Sequence, residues 1–414
     1  MNAQLRRVVE QARKAPFYRE TLRGLAKCEG ASEWQRVPFT TKDDLRNAYP
    51  FGLLAVAQEA VASYHESTGT SGEPTASYFT ESDWDDVASR FLRNGIGIGP
   101  GDWVLIKTPY ALVTTAHQMH RAARSVGATV VPADNRSLNM TYAKVVRLLK
   151  DLPITVAWCL PTEVMLWAEA ARSLGLDPAT DFPKLRAFLV AGEPMSAARR
   201  KRLEKLWGSK RIFQDYGSTE TGSLAGECVA GAMHLWTDRI DCEVIDQGGQ
   251  ARAFGSGELV VTPLFREAMP LIRYRLADAV TIAATECPCG SRLPTIVVHG
   301  RRAAAVPIGA CHLQQMDVEE VVYSLPALFG VLFWRARARR DVLEIEVETA
   351  HPRDSAVCDE LAHEVFVRLG VRAEVVARAV GELYPRELLT QAAPFVKPQY
   401  LFHDGESWDR AIHY

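Results

Sequence analysis

The sequence predicts an α/β protein: a large N-terminal domain of parallel sheets that includes a small β region, followed by a small α+β C-terminal domain. Three observations carry this. Short apolar strands alternate with helix-period segments from Trp103 to Val190, the pattern of a largely parallel sheet covered on both faces. From about residue 228, Val- and Ile-rich stretches sit among glycines and turns, which reads as antiparallel strands. The chain then resets near Gly300 into one further compact module. A chain of 414 residues is too long for a single comfortable core, and the domains are expected at 1–300 and 301–414.

The elements follow in order. Residues 4–30 read as a helix-rich lead-in broken at Pro16-Phe17-Tyr18, and Thr41 is placed to cap a short helix through Leu45. Ala60 to His65 alternates like a strand and runs into a loop. A helix is expected over Glu81 to Asn94, where Trp84, Val87, Ala88 and Phe91 recur at helical spacing. Strands at 103–107, 128–132, 154–158 and 185–190 then alternate with helices at 117–126, 140–150 and 161–173. The cluster Arg199-Arg200-Lys201-Arg202 lies on a further helix and is read as a solvated face. Short strands follow at 242–246, 258–262, 280–283 and 295–298. After Gly300 come helix 317–325, strands 331–337 and 341–349, helix 355–369 and strand 371–379. In the strand at 341–349, Leu343, Ile345 and Val347 alternate with Glu344, Glu346 and Glu348, one buried face and one wet face.

Composition excludes several classes. The apolar fraction is 47%, the charged fraction 24% and the net charge −2, so there is no basic footprint for nucleic acid. The apolar runs fall short of a bilayer span and MNAQLRRVVEQARK lacks a signal-peptide stretch. No membrane partner and a cytoplasmic location are therefore expected. Eight cysteines are too few for a disulfide framework at this length. Four groups, Cys228, His234, Cys287 and Cys289, flank the small β region at both ends and fit a closed, structural Cys₃His zinc site. The alternative is that Cys-Pro-Cys-Gly is a tight turn with free thiols.

Two stretches could carry chemistry. In HESTGTSGEPT (His65 to Thr75), the hydroxyls of Ser67, Thr68, Thr70 and Ser71 and the glycines Gly69 and Gly72 fall within six consecutive positions. Glycines bring backbone close to a bound group and hydroxyls and N–H groups donate to an anion. The same residues also build ordinary surface turns. The run contains no lysine and is not a Walker loop. The second stretch, Asp215-Tyr216-Gly217-Ser218-Thr219-Glu220, follows a strand, where open α/β sheets bind ligands. An aromatic beside a glycine can stack on a base, and a carboxylate can hold Mg²⁺. No G-x-S-x-G elbow supports a hydrolase.

These motifs occur in a fixed order with Gly192-Glu193-Pro194, with Arg273-Tyr274-Arg275-Leu276-Ala277-Asp278 and with Gly300-Arg301. The set resembles the adenylate-forming superfamily of acyl-CoA synthetases and adenylation domains. VPFTTKDDLRNAYPFGLL, MHLWTD, REAMPLIRYRLADAV and CPCG are similar to its phenylacetate-CoA ligase-like branch. The resemblance covers roughly residues 15–300 well and the rest weakly. It implies that residues 1–300 form an adenylation domain with Ser67 to Gly72 around the β- and γ-phosphates of ATP. Gly192, Glu193, Asp215, Tyr216 and Gly217 would form the adenine slot, and Asp278 would hold the ribose. Thr219 would meet the α-phosphate, Glu220 would bind Mg²⁺, and Arg301 would precede the hinge. Tyr110 and His65 would border the acid. Short members of this branch carry a zinc site of the kind described.

The match frays after Arg301. Ala303, Ala304 and Ala305 stand where the resemblance implies a polar hinge, and Lys397, the sole lysine after Lys210, is the candidate for the C-terminal catalytic lysine. The expected reaction is Mg-ATP-dependent activation of a carboxylic acid, aryl or aryl-acetic, to an acyl-adenylate with release of pyrophosphate, then transfer to coenzyme A. Two alternatives stay open: transfer to an amine or carrier protein, and a non-catalytic nucleotide-binding relative. The sequence leaves the acid and the oligomeric state open.

Overall fold

The computed structural model describes residues 3–24, 30–67, 75–301, 304–353, 355–391 and 398–408. It divides into two compact units, Met1–Pro132 with Phe213–Val298, and Ala133–Ile212 with His299–Tyr414. This spatial division is a different cut from the sequential one at Gly300. Its last crossing falls at Val298/His299, and residues 133–212 join the C-terminal residues.

The first unit opens with α1 (Ala3–Ala12), α2 (Pro16–Thr21), α3 (Ala31–Arg36) and α4 (Lys42–Asn47). Pro16 cannot continue α1 but suits the first turn of α2, with Ala15 extended before it. Thr41 caps α4 as expected: its hydroxyl accepts from the Asp44 N–H at 3.2 Å, and the Asp44 carboxylate takes the Thr41 N–H at 2.7 Å. β1 (Ser63–Glu66) and β2 (Ala76–Phe79) pair antiparallel. α5 (Glu81–Phe91) buries Trp84, Val87, Ala88 and Phe91. β3 (Trp103–Ile106), α6 (Thr115–Ser125) and β4 (Thr129–Pro132) form a βαβ unit whose strands run parallel.

In the second unit, α7 (Tyr142–Asp151), β5 (Val156–Cys159), α8 (Pro161–Ser173), β6 (Ala187–Val190) and α9 (Ala197–Leu206) continue the alternation. β5 and β6 are parallel and every residue in both is buried, as a strand covered on two faces requires. The expected solvated face of α9 is corrected at Arg199, which is fully buried because two carboxylates and a hydroxyl receive its charge.

The chain returns through β7 (Arg211–Ser218), β8 (Gly222–Glu227), β9 (Met233–Leu235), β10 (Ile240–Ile245), β11 (Ala251–Arg252), β12 (Gly255–Pro263), β13 (Tyr274–Ala283) and β14 (Thr295–Arg301). Their order is β11-β10-β12-β13-β14-β9-β8-β7. β8 escaped the sequence reading because GSLAGE has no β-branched residue. Its small residues are there for close approach: a Cβ on Gly226 would stand 2.9 Å from the Trp236 ring.

The C-terminal residues supply a hairpin, β15 (Val306–Ile308) and β16 (Cys311–Leu313), then α10 (Gln315–Ser324). β17 (Trp334–Arg339), β18 (Val342–Glu348), α11 (Ala356–Leu369), β19 (Arg372–Arg378) and β20 (Leu401–Phe402) follow, giving a sheet ordered β19-β18-β17-β20. Leu343, Ile345 and Val347 are buried as the alternation predicts. The opposite face is not simply wet. Glu346 and Glu348 are buried too, because Arg335 and Arg378 meet the first and Arg386 the second. Among the described residues no helix is long and apolar enough to cross a membrane.

Candidate functional site

The hydroxyl-rich loop is anchored at its feet. Ser67 donates its N–H to the Thr75 carbonyl at 3.1 Å, and the two hydroxyls lie 2.8 Å apart. Thr68, Gly69, Thr70, Ser71 and Gly72, expected around the phosphates, lie outside the described residues, as does Lys397. The Thr75 hydroxyl donates to Glu220 Oε1 at 2.9 Å, and Lys42 Nζ stands 3.9 Å from the same oxygen. Glu220 is 3% exposed. A buried carboxylate of this kind needs a cation or donors around it. The structure thus brings Ser67 and Glu220 to one point, through two residues the sequence reading did not single out, Thr75 and Lys42.

Glu220 is set by the β7–β8 hairpin. Gly217 is required there, since a Cβ would lie 2.1 Å from the Gly222 carbonyl oxygen. Buried Arg90 donates to the carbonyls of Thr221 and Ser223 and pairs with Asp86 at 2.9 Å. Thr219 sits half-buried in the turn. Tyr216 donates its hydroxyl to Asp278 Oδ2 at 2.6 Å, so the expected base-stacking ring and ribose-binding acid are neighbours. The Asp215 side chain turns inward, accepting from the Ser223 hydroxyl at 2.6 Å. Burial pushes its carboxyl up to about 8, against that hydrogen bond and the charge of Arg90.

His65 and Tyr110 also come together, bridged by His117. Ring centroids are 5.1 Å apart for His65 and His117, and 5.3 Å for Tyr110 and His117. The Ser63 hydroxyl accepts from Trp84 Nε1 at 2.8 Å and stands 2.9 Å from His65 Nε2. Tyr110 Oη is 3.1 Å from His120 Nδ1. Burial, then the neighbouring His117, lowers His65 to about 4, against the carbonyls of Leu112 and Val113. A neutral buried imidazole that charges near 6.5 on unfolding lets the unfolded state bind more protons between about 4 and 6.5. Stability from this group is therefore full above pH 6.5 and lost as pH falls toward 4. Thermal melts across this range should fall less steeply for His65→Gln than for the parent chain; parallel profiles would rule the effect out.

In the second unit, Gly192 adopts φ +86 and Glu193 is buried. Glu193 Oε2 accepts from the Thr162 hydroxyl at 2.7 Å and lies 3.6 Å from Arg199 Nη2. Like Asp215, it spends its side chain inside the protein. Arg301 is exposed at the end of β14, and its carbonyl accepts from Gln314 Nε2 at 3.4 Å. Gly300 has φ +113, a conformation that favours glycine.

The four proposed metal ligands converge. Cys228, His234, Cys287 and Cys289 place their ligand atoms within 4.8 Å of one another. The Cys228 and Cys287 sulfurs are 3.7 Å apart, close to the edge of about 3.8 Å that a zinc–sulfur bond near 2.3 Å gives a tetrahedron. His234 Nδ1 lies 2.9 Å from the Leu293 carbonyl, and donation there leaves Nε2, 3.3 Å from Cys289 Sγ, as the ligand atom.

Residues 56–261 match the family described as AMP-binding enzyme. A phenylacetate-coenzyme A ligase of Thermus thermophilus is 32% identical over 89% of this chain and 86% of its own. The chain belongs to the phenylacetate-coenzyme A ligase family. A second member, from Escherichia coli, is 29% identical over 85% of this chain and 83% of its own. Among solved structures, 2-hydroxyisobutyryl-CoA ligase in the postadenylation state with 2-HIB-AMP has a TM-score of 0.86 at 24% identity, covering 97% of this chain and 88% of that one. An anthranilate CoA ligase with anthranoyl-AMP has a TM-score of 0.60 at 16% identity, covering 89% and 73%. Both share the fold of this family member.

Proposed function

We propose that the protein activates a small carboxylic acid, aryl or aryl-acetic, with Mg-ATP to an acyl-adenylate, releases pyrophosphate, and transfers the acyl group to coenzyme A in the cytoplasm. The observation that carries this is Glu220: an almost fully buried carboxylate bonded to Thr75 at the foot of the hydroxyl-rich stretch, shortly after Tyr216 in the chain. In-line attack of a carboxylate on the α-phosphate asks the protein for positioning and charge neutralisation rather than covalent help. In this assignment Ser67 to Gly72 surround the β- and γ-phosphates, and Thr219 meets the α-phosphate. Glu220 offers the oxygen ligand a hard divalent cation takes. The resemblance assigns Gly192, Glu193, Asp215 and Gly217 to the adenine slot, and Asp215 and Glu193 each keep their side chains hydrogen-bonded inside the protein. Tyr216 supplies the stacking face and Asp278 the ribose contact. His65 and Tyr110 border the acid, Arg301 leads into the hinge, and Lys397 carries the C-terminal charge. Residues 1–300 act as the adenylating domain and 301–414 as the smaller one.

The deciding experiment is pyrophosphate release with Mg-ATP and a panel of aryl acids, with and without coenzyme A. Acid-dependent release that yields a thioester on adding coenzyme A supports the proposal. Release without thioester moves the acceptor to an amine or carrier protein.

We further propose that Cys228, His234, Cys287 and Cys289 hold one structural zinc ion; four protein ligands leave no open position for catalysis. Protein purified without chelators is expected to contain about one equivalent of zinc, and chelation should lower the melting temperature, since ligation energy is folding energy in such sites. Metal-free protein with the same melting temperature would leave the four groups a turn with free thiols.

A further inference from the structure

We propose that Arg90, on α5, is a positioning residue for Glu220, and that the reaction depends on it through that carboxylate. The proposal rests on the acid-adenylating assignment above and adds a residue to it.

The turn that carries Glu220 is not held by its strand ladder alone. Asp215 pairs with Gly226 and Tyr216 with Ala225, but Gly217 then pairs with Ser223, so Leu224 is an extra residue on β8. A bulge of this kind bends the strand and interrupts the ladder. Glu220 lies in the turn just beyond it, between the end of β7 and the start of β8. The turn ties itself together: the Ser218 N–H donates to the Thr221 hydroxyl at 3.3 Å, and that hydroxyl stands 3.0 Å from Ser218 Oγ. Those bonds shape the turn without fixing its direction.

Arg90 supplies the direction. Its side chain is 2% exposed. Nη2 donates to the Thr221 carbonyl at 3.1 Å and Nη1 to the Ser223 carbonyl, the one beside the extra residue. A planar guanidinium fork sets two acceptors in both distance and angle. The fork is itself held. Nε donates to Asp86 Oδ2 at 2.9 Å, and Asp86 Oδ1 accepts from Arg239 Nε at 2.7 Å. Val87 of the same helix packs on the turn so closely that a Cβ on Gly222 would stand 2.9 Å from it. At the tip, Glu220 Oε1 accepts from the Thr75 hydroxyl, so the carboxylate is fixed both through its backbone and at its end. Burial pushes the Arg90 guanidinium below its usual range, opposed by Asp86. Apolar packing would join α5 to β8 without that burden. It would not orient two peptide carbonyls next to Glu220.

Arg90→Lys tests the proposal, because it keeps the charge and loses the fork. Asp86 retains Arg239 in this variant, so no buried acid is left without a cation. The turnover rate of acid-dependent pyrophosphate release should fall about 10- to 100-fold, the scale of a catalytic group misplaced by about 1 Å. KM for the acid should stay within about twofold, and the magnesium concentration for half-maximal rate should rise. On a Glu220→Gln background, Arg90→Lys should cost less than about twofold more, since residues that act as one unit are not additive. The full loss repeated on that background would reduce Arg90 to a general support of the fold. Hydrogen exchange without substrates gives a readout independent of turnover. Amides of β8 should exchange faster in Arg90→Lys than in the parent, with β12 and β13 unchanged, because only the local opening is affected. Unchanged exchange in β8 would overturn the proposal whatever the activity. A parent that releases no pyrophosphate with any acid would instead strike the adenylating assignment.

Discussion

Replacing Glu220 by glutamine is expected to slow acid-dependent pyrophosphate release about 10²- to 10³-fold, the usual effect of removing one preorganised electrostatic group. The substitution keeps the shape. The amide oxygen still accepts the Thr75 hydroxyl that now donates to Oε1 at 2.9 Å, so the feet of the loop stay joined. What disappears is a negative charge that is 3% exposed and therefore little screened by solvent. Two consequences separate this from general damage. The magnesium concentration for half-maximal activity should rise, and Lys42, 3.9 Å away in this structure, should lose the carboxylate it faces. Activity within severalfold of the parent, at unchanged magnesium dependence, would remove Glu220 from the metal-binding role.

The motifs of the expected site are local in the chain. Asp215 to Glu220 reads as a stretch that follows a strand, and the structure carries β7 itself through Ser218. The hydroxyls of Ser67 to Ser71 read equally as an anion loop or a surface turn, and Thr68, Thr70 and Ser71 lie outside the described residues. The alternation of β18 likewise marks Leu343, Ile345 and Val347 as core. The sequence reading fails where a side chain's partner is distant in the chain. Nothing near Lys42 points to Glu220, because the contact exists only once Thr40 is bonded to β13. Nothing near Asp215 says that Ser223 will turn its carboxylate inward, since that requires the β7–β8 pairing. Glu346 and Glu348 look solvated by period, yet arginines from β17, β19 and the following turn cover them. Charge pairing overrides periodicity whenever the counter-ion arrives from another element.

The same principle makes Arg199 the position of greatest expected stability cost. Its side chain is wholly buried, with Glu319 at 3.1 Å, Glu193 at 3.6 Å, the Thr162 hydroxyl at 2.8 Å and the Tyr400 ring centroid 5.6 Å from its guanidinium carbon. The Ser196 N–H donates to the other oxygen of Glu319 at 2.7 Å. Burial pushes the Glu319 carboxyl up, opposed by Arg199 and by Ser196. Removing the arginine leaves two buried carboxylates facing each other without their cation. Arg199→Met should therefore destabilise folding by about 3–5 kcal/mol, the range for breaking one side of a buried ion pair. With the cation gone, Glu319 is raised further, so the folded state holds its proton above the pH at which the unfolded chain releases it. The deficit should then be small in acid and grow as pH rises through the carboxylate range and beyond. Denaturant titrations of parent and variant at pH 5 and pH 8 measure this directly, and the double variant Arg199→Met, Glu319→Gln should recover part of the loss. Equal stability of parent and single variant at pH 8 would mean that the two carboxylates are already neutral beside Arg199, which the 3.1 Å pair and the Ser196 bond argue against. The pair also joins α9 to α10 within the second unit, so the variant loosens a contact between two stretches far apart in the chain.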